Sequence, residues 1–426
     1  MHRDLEHRLH RTLRAAAVAT SLLGLLVATA VTTASGATRS PAVHAAISGT
    51  PVTFLLSRGL GGASPNGPST HPVISNDKRY ARAVAFQSEA SNLVRGDTNG
   101  VSDVFVVKRT GKIDNEGVPW QIGRTVLISR TGGRARANGP SFLPAIDGAF
   151  HETPPSCVGF LSDATNIGRG DTNGVTDAFV TKIRGGKPRR LLPGGHQSKL
   201  PATAIAVSGN CGSVAFITGG KLYVSLHGKK PRKVATRGVA ADPSYSTGLR
   251  EDLVFGAQGG VYLAKGSRHP RLVGRGGRNP AYNDIKRQVV AYEKRIGGHM
   301  QIAYHDIGRP ERVISRSPRG RGDGDSANPV IGNSGYYVSF QTAAGNLQTS
   351  AFGGPDGNGA VDTYLYTDTR KITLAESLTN GNRLLPAGGE NPSMAFYANY
   401  IVFDSPRSLD SGTGERQVFM RYVGGK

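Results

Sequence analysis

The sequence predicts an all-β fold, a seven-bladed propeller whose ring is closed by its own N-terminal strand, on three observations. A short strand ending in an aromatic residue recurs seven times. A second short strand, and usually a third, follows each one. The last unit lacks a final strand, and the segment beginning at Pro51 supplies one.

The aromatic-ended strands are "AVAF" at Phe86, "CVGF" at Phe160, "SVAF" at Phe216, "LVF" at Phe255, "VVAY" at Tyr292, "YVSF" at Phe340 and "YIVF" at Phe403. Their successors are "DVFVV", "DAFV", "KLYVS", "GVYLA", "QIAYH", "DTYLY" and "QVFMR". Strands such as "TVLISR", "PRRLL", "ERVIS" and "KITLA" come next. Each unit is led in by a short turn string: "NGPS" at Asn66 and Asn138, "ADPS" at Ala241, "RNPA" at Arg278, "ANPV" at Ala327 and "ENPS" at Glu390, while the third unit has only "LPAT". A four-stranded antiparallel unit of this kind buries both faces only when stacked on its neighbours, which is the logic of a propeller blade. Blades are expected over 66–130, 138–193, 200–236, 240–275, 278–316, 327–376 and 390–423, with a closing strand at 51–58. "PVTFLLSRG" from Pro51 is similar to "TVLISRTGG" from Thr125, so it fits as the missing fourth strand of the last blade. Such closure removes two exposed strand edges. A six-bladed ring is the alternative, if one of the two short units in 201–275 is misassigned. Fifty-eight glycines and 24 prolines suit many tight turns better than long helices.

The N-terminus reads as an export signal. Arg3, Arg8, Arg11 and Arg14 precede the apolar run "AAAVATSLLGLLVATAV", and small residues follow, with cleavage expected after Ala45, giving a signal peptide at 1–45 and a mature propeller at 46–426. An uncleaved membrane anchor is the alternative, because the run is nearly long enough to span a bilayer. In an exported chain the two cysteines, Cys157 and Cys211, are expected to be bridged, with two small buried thiols as the other reading.

The repeats resemble the WD40-like propeller repeats of the TolB family, on "SNDKRYARAVAF" (Ser75 to Phe86), "GNSGYYVSF" (Gly332 to Phe340) and the two "DTNGV" segments. The family's turn usually carries Asp-Gly before the strand. Here Lys78 follows Asp77 and Ser334 follows Asn333, so the set is diverged. The resemblance implies a propeller and an exported, periplasmic or secreted location; it implies no single activity.

Three units insert a loop that keeps Asp, Asn two later, Gly three later and Asp six later: Asp97, Asn99, Gly100, Asp103; Asp171, Asn173, Gly174, Asp177; and Asp356, Asn358, Gly359, Asp362. Side-chain oxygens alternating around a glycine turn suit calcium, the one cofactor the sequence suggests. The string is shorter than an EF-hand loop and lacks its last Glu, so a polar turn closed by local Asp and Asn bonds is the competing reading. Arg-Gly-Asp occurs at Arg95, Arg169 and Arg321, twice inside these turns, where Gly-Asp has a local explanation.

The sequence contains no G-x-S-x-G elbow, H-E-x-x-H helix or P-loop. His151 with Glu152 reads as a solvated pair, and strand alternation sends His305 and Asp306 to opposite faces. The chain is strongly basic, at +22. Basic residues gather on turns of successive units, at Lys187, Arg189, Arg190, Lys229, Lys230, Arg232, Lys233, Arg268 and Arg271, where a basic rim is expected. Such charge attracts anionic polymers and lipid headgroups in a salt-dependent way. Export argues against nucleic acid. The expected function is a monomeric, noncatalytic binding or scaffolding module for an envelope protein, anionic glycan or lipid headgroup. The competing function is an extracytoplasmic propeller enzyme, of glycan lyase or hydrolase type, with its site in the central channel.

Overall fold

Six times the chain lays down four short antiparallel strands and moves on to the next sheet, and a seventh sheet joins three C-terminal strands to the first strand of the described residues. The computed structural model describes residues 51–426, apart from 79, 111–119, 134, 149–153, 185, 247, 249, 266–268, 351–352, 410–411 and 424–426. The expected signal segment at 1–45, and His151 with Glu152, therefore lie outside the described residues. Among the described residues, no helix is long and apolar enough to cross a membrane.

Blade 1 consists of Ser69–Ile74, Ala83–Ser88, Asp103–Thr110 and Gln121–Leu127. Blade 2 is Ser141–Ile146, Cys157–Ser162, Asp177–Lys182 and Arg189–Arg190. Blades 3 to 6 begin at Ala202, Ala241, Gly277 and Ser326. Blade 7 holds Glu390–Met394, Tyr400–Ser408 and Thr413–Tyr422, and its fourth strand is Val52–Leu55. Val52 pairs with Tyr422 and Leu55 with Phe419, so the N-terminal strand closes the ring. A buried ion pair reinforces that closure. Arg421 lies 3.2 Å from Glu376 and donates to Thr53 Oγ1 at 3.1 Å. A small hairpin, Arg316–Ser317 with Gly320–Arg321, adds to the blades between the fifth and sixth.

The recurring aromatics explain why the blades stack. In six blades the aromatic of the second strand stacks on its cross-strand partner in the third, as in Phe86–Phe105 at 6.0 Å and Phe160–Phe179 at 5.5 Å. Blade 5 is the exception: Tyr292 faces Ala303 and packs over Gly274 and Gly277 instead, where a Cβ at Gly277 would come within 2.3 Å of the ring. Cross-strand aromatic pairs of this kind add stabilisation beyond the area they bury.

The first strands line the central channel, and every one pairs with its second strand through a register shift. In six blades the shift falls at a residue followed by proline, and that residue has a positive φ: His71, Leu143, Asp242, Asn279, Asn328 and Asn391. Blade 3 has Thr203–Ala204 there, with no proline. A bulge leaves one residue unpaired and re-aims its side chain, and proline cannot donate to the ladder at the next position. This alignment corrects the lead-in strings. "NGPS" of blades 1 and 2 is not equivalent to "ANPV" of blade 6, because the hydroxyl pairs Ser69–Ser88, Ser141–Ser162 and Ser326–Thr342 set the register. His71–Pro72 and Leu143–Pro144 are the counterparts of Asn328–Pro329.

Candidate functional site

The seven bulged positions form a collar around a cavity of about 480 Å³ in the middle of the ring. The collar is chiefly polar, with His71, Thr203, Asp242, Asn279, Asn328 and Asn391 joined by the single apolar Leu143. Four of its seven backbone amides are bonded by side chains of the blade before. Gln87 Oε1 accepts from Leu143 N at 2.9 Å, Glu293 Oε1 from Asn328 N at 3.0 Å, Gln341 Oε1 from Asn391 N at 2.8 Å and Asp404 Oδ2 from His71 N at 3.0 Å. Collar side chains join the same seam. Asn279 Nδ2 donates to Glu293 Oε1 at 2.7 Å and to Asn328 Oδ1 at 2.9 Å, and Asn391 Nδ2 donates to Asp404 Oδ2 at 2.9 Å.

The two titratable collar groups are not partners. His71 belongs to blade 1 and Asp242 to blade 4, on opposite sides of the ring. Burial holds the His71 imidazole below its ordinary range, and burial pushes the Asp242 carboxyl up. Among the described residues, the one hydroxyl bonded to His71 is that of its neighbour Thr70. His305 and Asp306, elsewhere, point apart as alternation requires: His305 bonds Val273 O at 2.7 Å, while Asp306 meets Arg287 and Arg309.

The three Asp-Asn-Gly loops share one framework. The Asn amide donates to the later Asp, with Asn99 to Asp103 at 2.7 Å, Asn173 to Asp177 at 3.2 Å and Asn358 to Asp362 at 2.8 Å. It also donates to the carbonyl of Ala137, Ser198 or Leu385, tying the loop to the chain that enters the next blade. Gly100, Gly174 and Gly359 each have φ between 66° and 70°, the left-handed turn that makes glycine necessary. The first Asp of each loop, at 97, 171 and 356, is buried. In the first two Arg-Gly-Asp strings the carboxylate therefore faces inward, while Asp323 of the third is exposed.

Arg190 is the member of the expected rim that the structure places elsewhere. Its guanidinium is buried between two carboxylates, 2.8 Å from Asp171 and 3.0 Å from Asp177, on the loop rather than at the rim. Lys187, Arg189, Lys229, Lys230, Arg232, Lys233 and Arg271 are exposed, and Arg268 lies outside the described residues. Cys157 and Cys211 form a disulfide between blades 2 and 3, with Cα atoms 6.1 Å apart.

A second cavity, of about 730 Å³, runs along the outer edge of blade 1. Its walls carry Arg58, Arg95, Arg124, Arg130 and Arg136, with no Asp or Glu among its lining residues. Sequence reading missed this groove, because its arginines come from four separate segments and never form a run. It missed the collar for a related reason: one residue from each blade carries no local motif, although the residue just after each recurring aromatic (Gln87, Glu293, Gln341 and Asp404) was a readable signal of the seam.

Fold and site together define a seven-bladed propeller with a chiefly polar collar around its central cavity and a basic outer groove. No known family model matches the chain, and no curated protein matches it in sequence. Among solved structures it is similar to the β-propeller domain of the Trilobed protease from Pyrococcus furiosus, at 9% identity over 84% of this chain and 94% of that one, with a TM-score of 0.49. It is similar to a putative TolB from Agrobacterium tumefaciens, at 13% identity over 71% and 95%, with a TM-score of 0.36. A puromycin-hydrolyzing peptidase from Mycobacterium tuberculosis shares 13% identity over 86% of this chain and 56% of its own length, with a TM-score of 0.47.

Proposed function

We propose that this chain is an exported, noncatalytic propeller that binds an anionic glycan of the cell envelope. The observation that carries the reading is the outer groove of blade 1, where five arginines line one cavity with no acid among them. Guanidinium groups present several donors in a fixed plane and match carboxylate, sulfate and phosphate groups two-point, so a row of them suits a polymer with repeated charges. The adjacent strand, Gln121–Leu127, is the outermost of its blade, which leaves the groove open along its length. The collar supports the noncatalytic half of the reading, because its asparagine amides and the Glu293 and Asp404 carboxylates behind it are engaged in bonds between and within blades. The arginine-led apolar N-terminus supports export.

The test is binding of the purified full chain to dextran sulfate, followed across a salt series, beside a variant with Arg58, Arg124 and Arg130 changed to Gln. The expected result is binding that survives moderate salt and weakens at least tenfold in the variant. Equal binding by both proteins, or loss of all binding at low salt, would leave only generic attraction of a basic surface and would reject the groove. Preference for phosphatidylglycerol vesicles over the glycan would also reject it, in favour of a lipid surface.

A further inference from the structure

The three Asp-Asn-Gly loops act as controls for one another. Each brings two carboxylates together on the same framework, and each meets the resulting repulsion differently. In blade 2, Arg190 bridges Asp171 and Asp177. In blade 6, the Tyr364 hydroxyl donates to Asp356 Oδ2 at 3.0 Å, beside the buried Asp362. Blade 1 has neither device. Phe105 occupies the position of Tyr364, two residues after the second Asp, and Leu127 is the cross-strand partner of Phe105 where Arg190 is that of Phe179.

The consequence falls on Asp97. It is 6% exposed, and its Oδ1 has no hydrogen-bond partner, while Asn99 N donates to the same carboxylate. Arg136 comes closest to Arg190 in role. It donates to the carbonyls of Gly96 and Arg95, as Arg190 does to those of Gly170 and Arg169, but its charge acts on Asp97 from farther away than the 2.8 Å that separates Arg190 from Asp171. Asp97 therefore holds a buried oxygen with no donor of its own beside the second carboxylate of Asp103, and Arg136 acts on it only from beyond ion-pair distance.

We propose that the blade 1 loop is a calcium site, with Asp97 Oδ1 and the Asp103 carboxylate as its protein ligands, and that Arg190 takes the cation's place in blade 2. A hard divalent ion meets what the geometry lacks: positive charge on a buried oxygen, with water completing the shell. Two carboxylates are few ligands for Ca²⁺, so the expected dissociation constant is on the order of 10⁻⁴–10⁻³ M, the range of extracellular modules.

Calcium titration of the purified full chain at neutral pH, by calorimetry and by melting temperature, tests this. Expected are one equivalent of uptake and a rise of about 2 °C at roughly ten times the dissociation constant. Asp97→Asn should abolish the uptake, and Asp171→Asn should leave it unchanged. Phe105→Tyr, which keeps both acids and supplies the hydroxyl that blade 6 uses, should weaken uptake at least tenfold and keeps the test decisive if Asp97→Asn does not fold. No uptake at about 10 mM calcium, or uptake that survives in Asp97→Asn or is unchanged in Phe105→Tyr, would overturn the proposal.

Discussion

At the collar, blades 5, 6, 7 and 1 reach their successors with a polar side chain, whereas blades 2 and 3 present an aliphatic one at the same place. The residue after the recurring aromatic decides which. Glu293, Gln341, Asp404 and Gln87 reach forward to the next blade's backbone amide. The corresponding residues of blades 2 and 3 are Leu161 and Ile217, both buried in clusters that cross to the next blade. The disulfide bridges one of these two aliphatic junctions. The difference teaches that aliphatic contact gives no direction of its own, so where the acceptor is missing the register rests on other bonds, such as Gly148 N to Gly209 O at 3.1 Å. At the junction of blades 2 and 3 a covalent link supplies what the missing acceptor cannot.

The sharpest way to break the comparison is at Asp404, which is fully buried and accepts from His71 N, Asn391 Nδ2 and Arg416. Asp404→Leu gives this junction the side chain that blade 2 carries. It strands two donors and half-frees a cation, and is expected to cost about 3–5 kcal/mol in urea unfolding. A loss under about 1 kcal/mol would mean that aliphatic contact serves equally well at any junction. Removing the disulfide tests the other side. Cys157 and Cys211 are 54 residues apart, and replacing both with Ser should cost about 2–4 kcal/mol. Unchanged stability would show that the aliphatic junction holds without it.

Gln341→Leu comes next in size. Its Oε1 accepts from Asn391 N and from Asn328 Nδ2 at 3.1 Å, both partly buried, so about 1–2 kcal/mol is expected. The effect should be smaller than at Asp404 because no charge is left behind.

Much of this ring was legible in the sequence because its cause is repetitive: one aromatic per blade stacks on the next strand, and Phe86, Phe160 and Phe340 announce it by recurring at fixed places. Closure was legible because "PVTFLLSRG" had a visible counterpart at Thr125. What stayed hidden depends on contacts between distant positions. Arg190 sits in a run of basic residues, and only the pairing with Phe179 shows that it turns inward to Asp171. The three loops look alike as strings, yet Phe105 and Tyr364 make their chemistry different through one hydroxyl. The outer groove gathers Arg58 and Arg130 across 72 residues of chain.

A pH dependence separates the disulfide junction from the polar ones. Asp147 lies beside Cys157 and Cys211 and accepts from Ser156 N and Ser156 Oγ, each at 2.7 Å, and from Cys157 N at 2.9 Å. Burial outweighs these bonds and pushes its carboxyl from 3.8 up to about 6. A folded-state value above the unfolded one means that the folded chain binds more protons in between. Stability must therefore fall as pH rises through the window from about 4 to about 6, then level off. Asp97, also near 6, adds to the slope in the absence of calcium, and Asp362, near 7, extends it. The urea midpoint should accordingly be higher at about pH 5 than at pH 7.5, and Asp147→Asn should flatten part of the difference. A midpoint that rises with pH across this window would mean that Asp147 folds as a carboxylate stabilised by its three donors; the disulfide junction would then be held by an ionic bond network much like the seam on the far side of the ring.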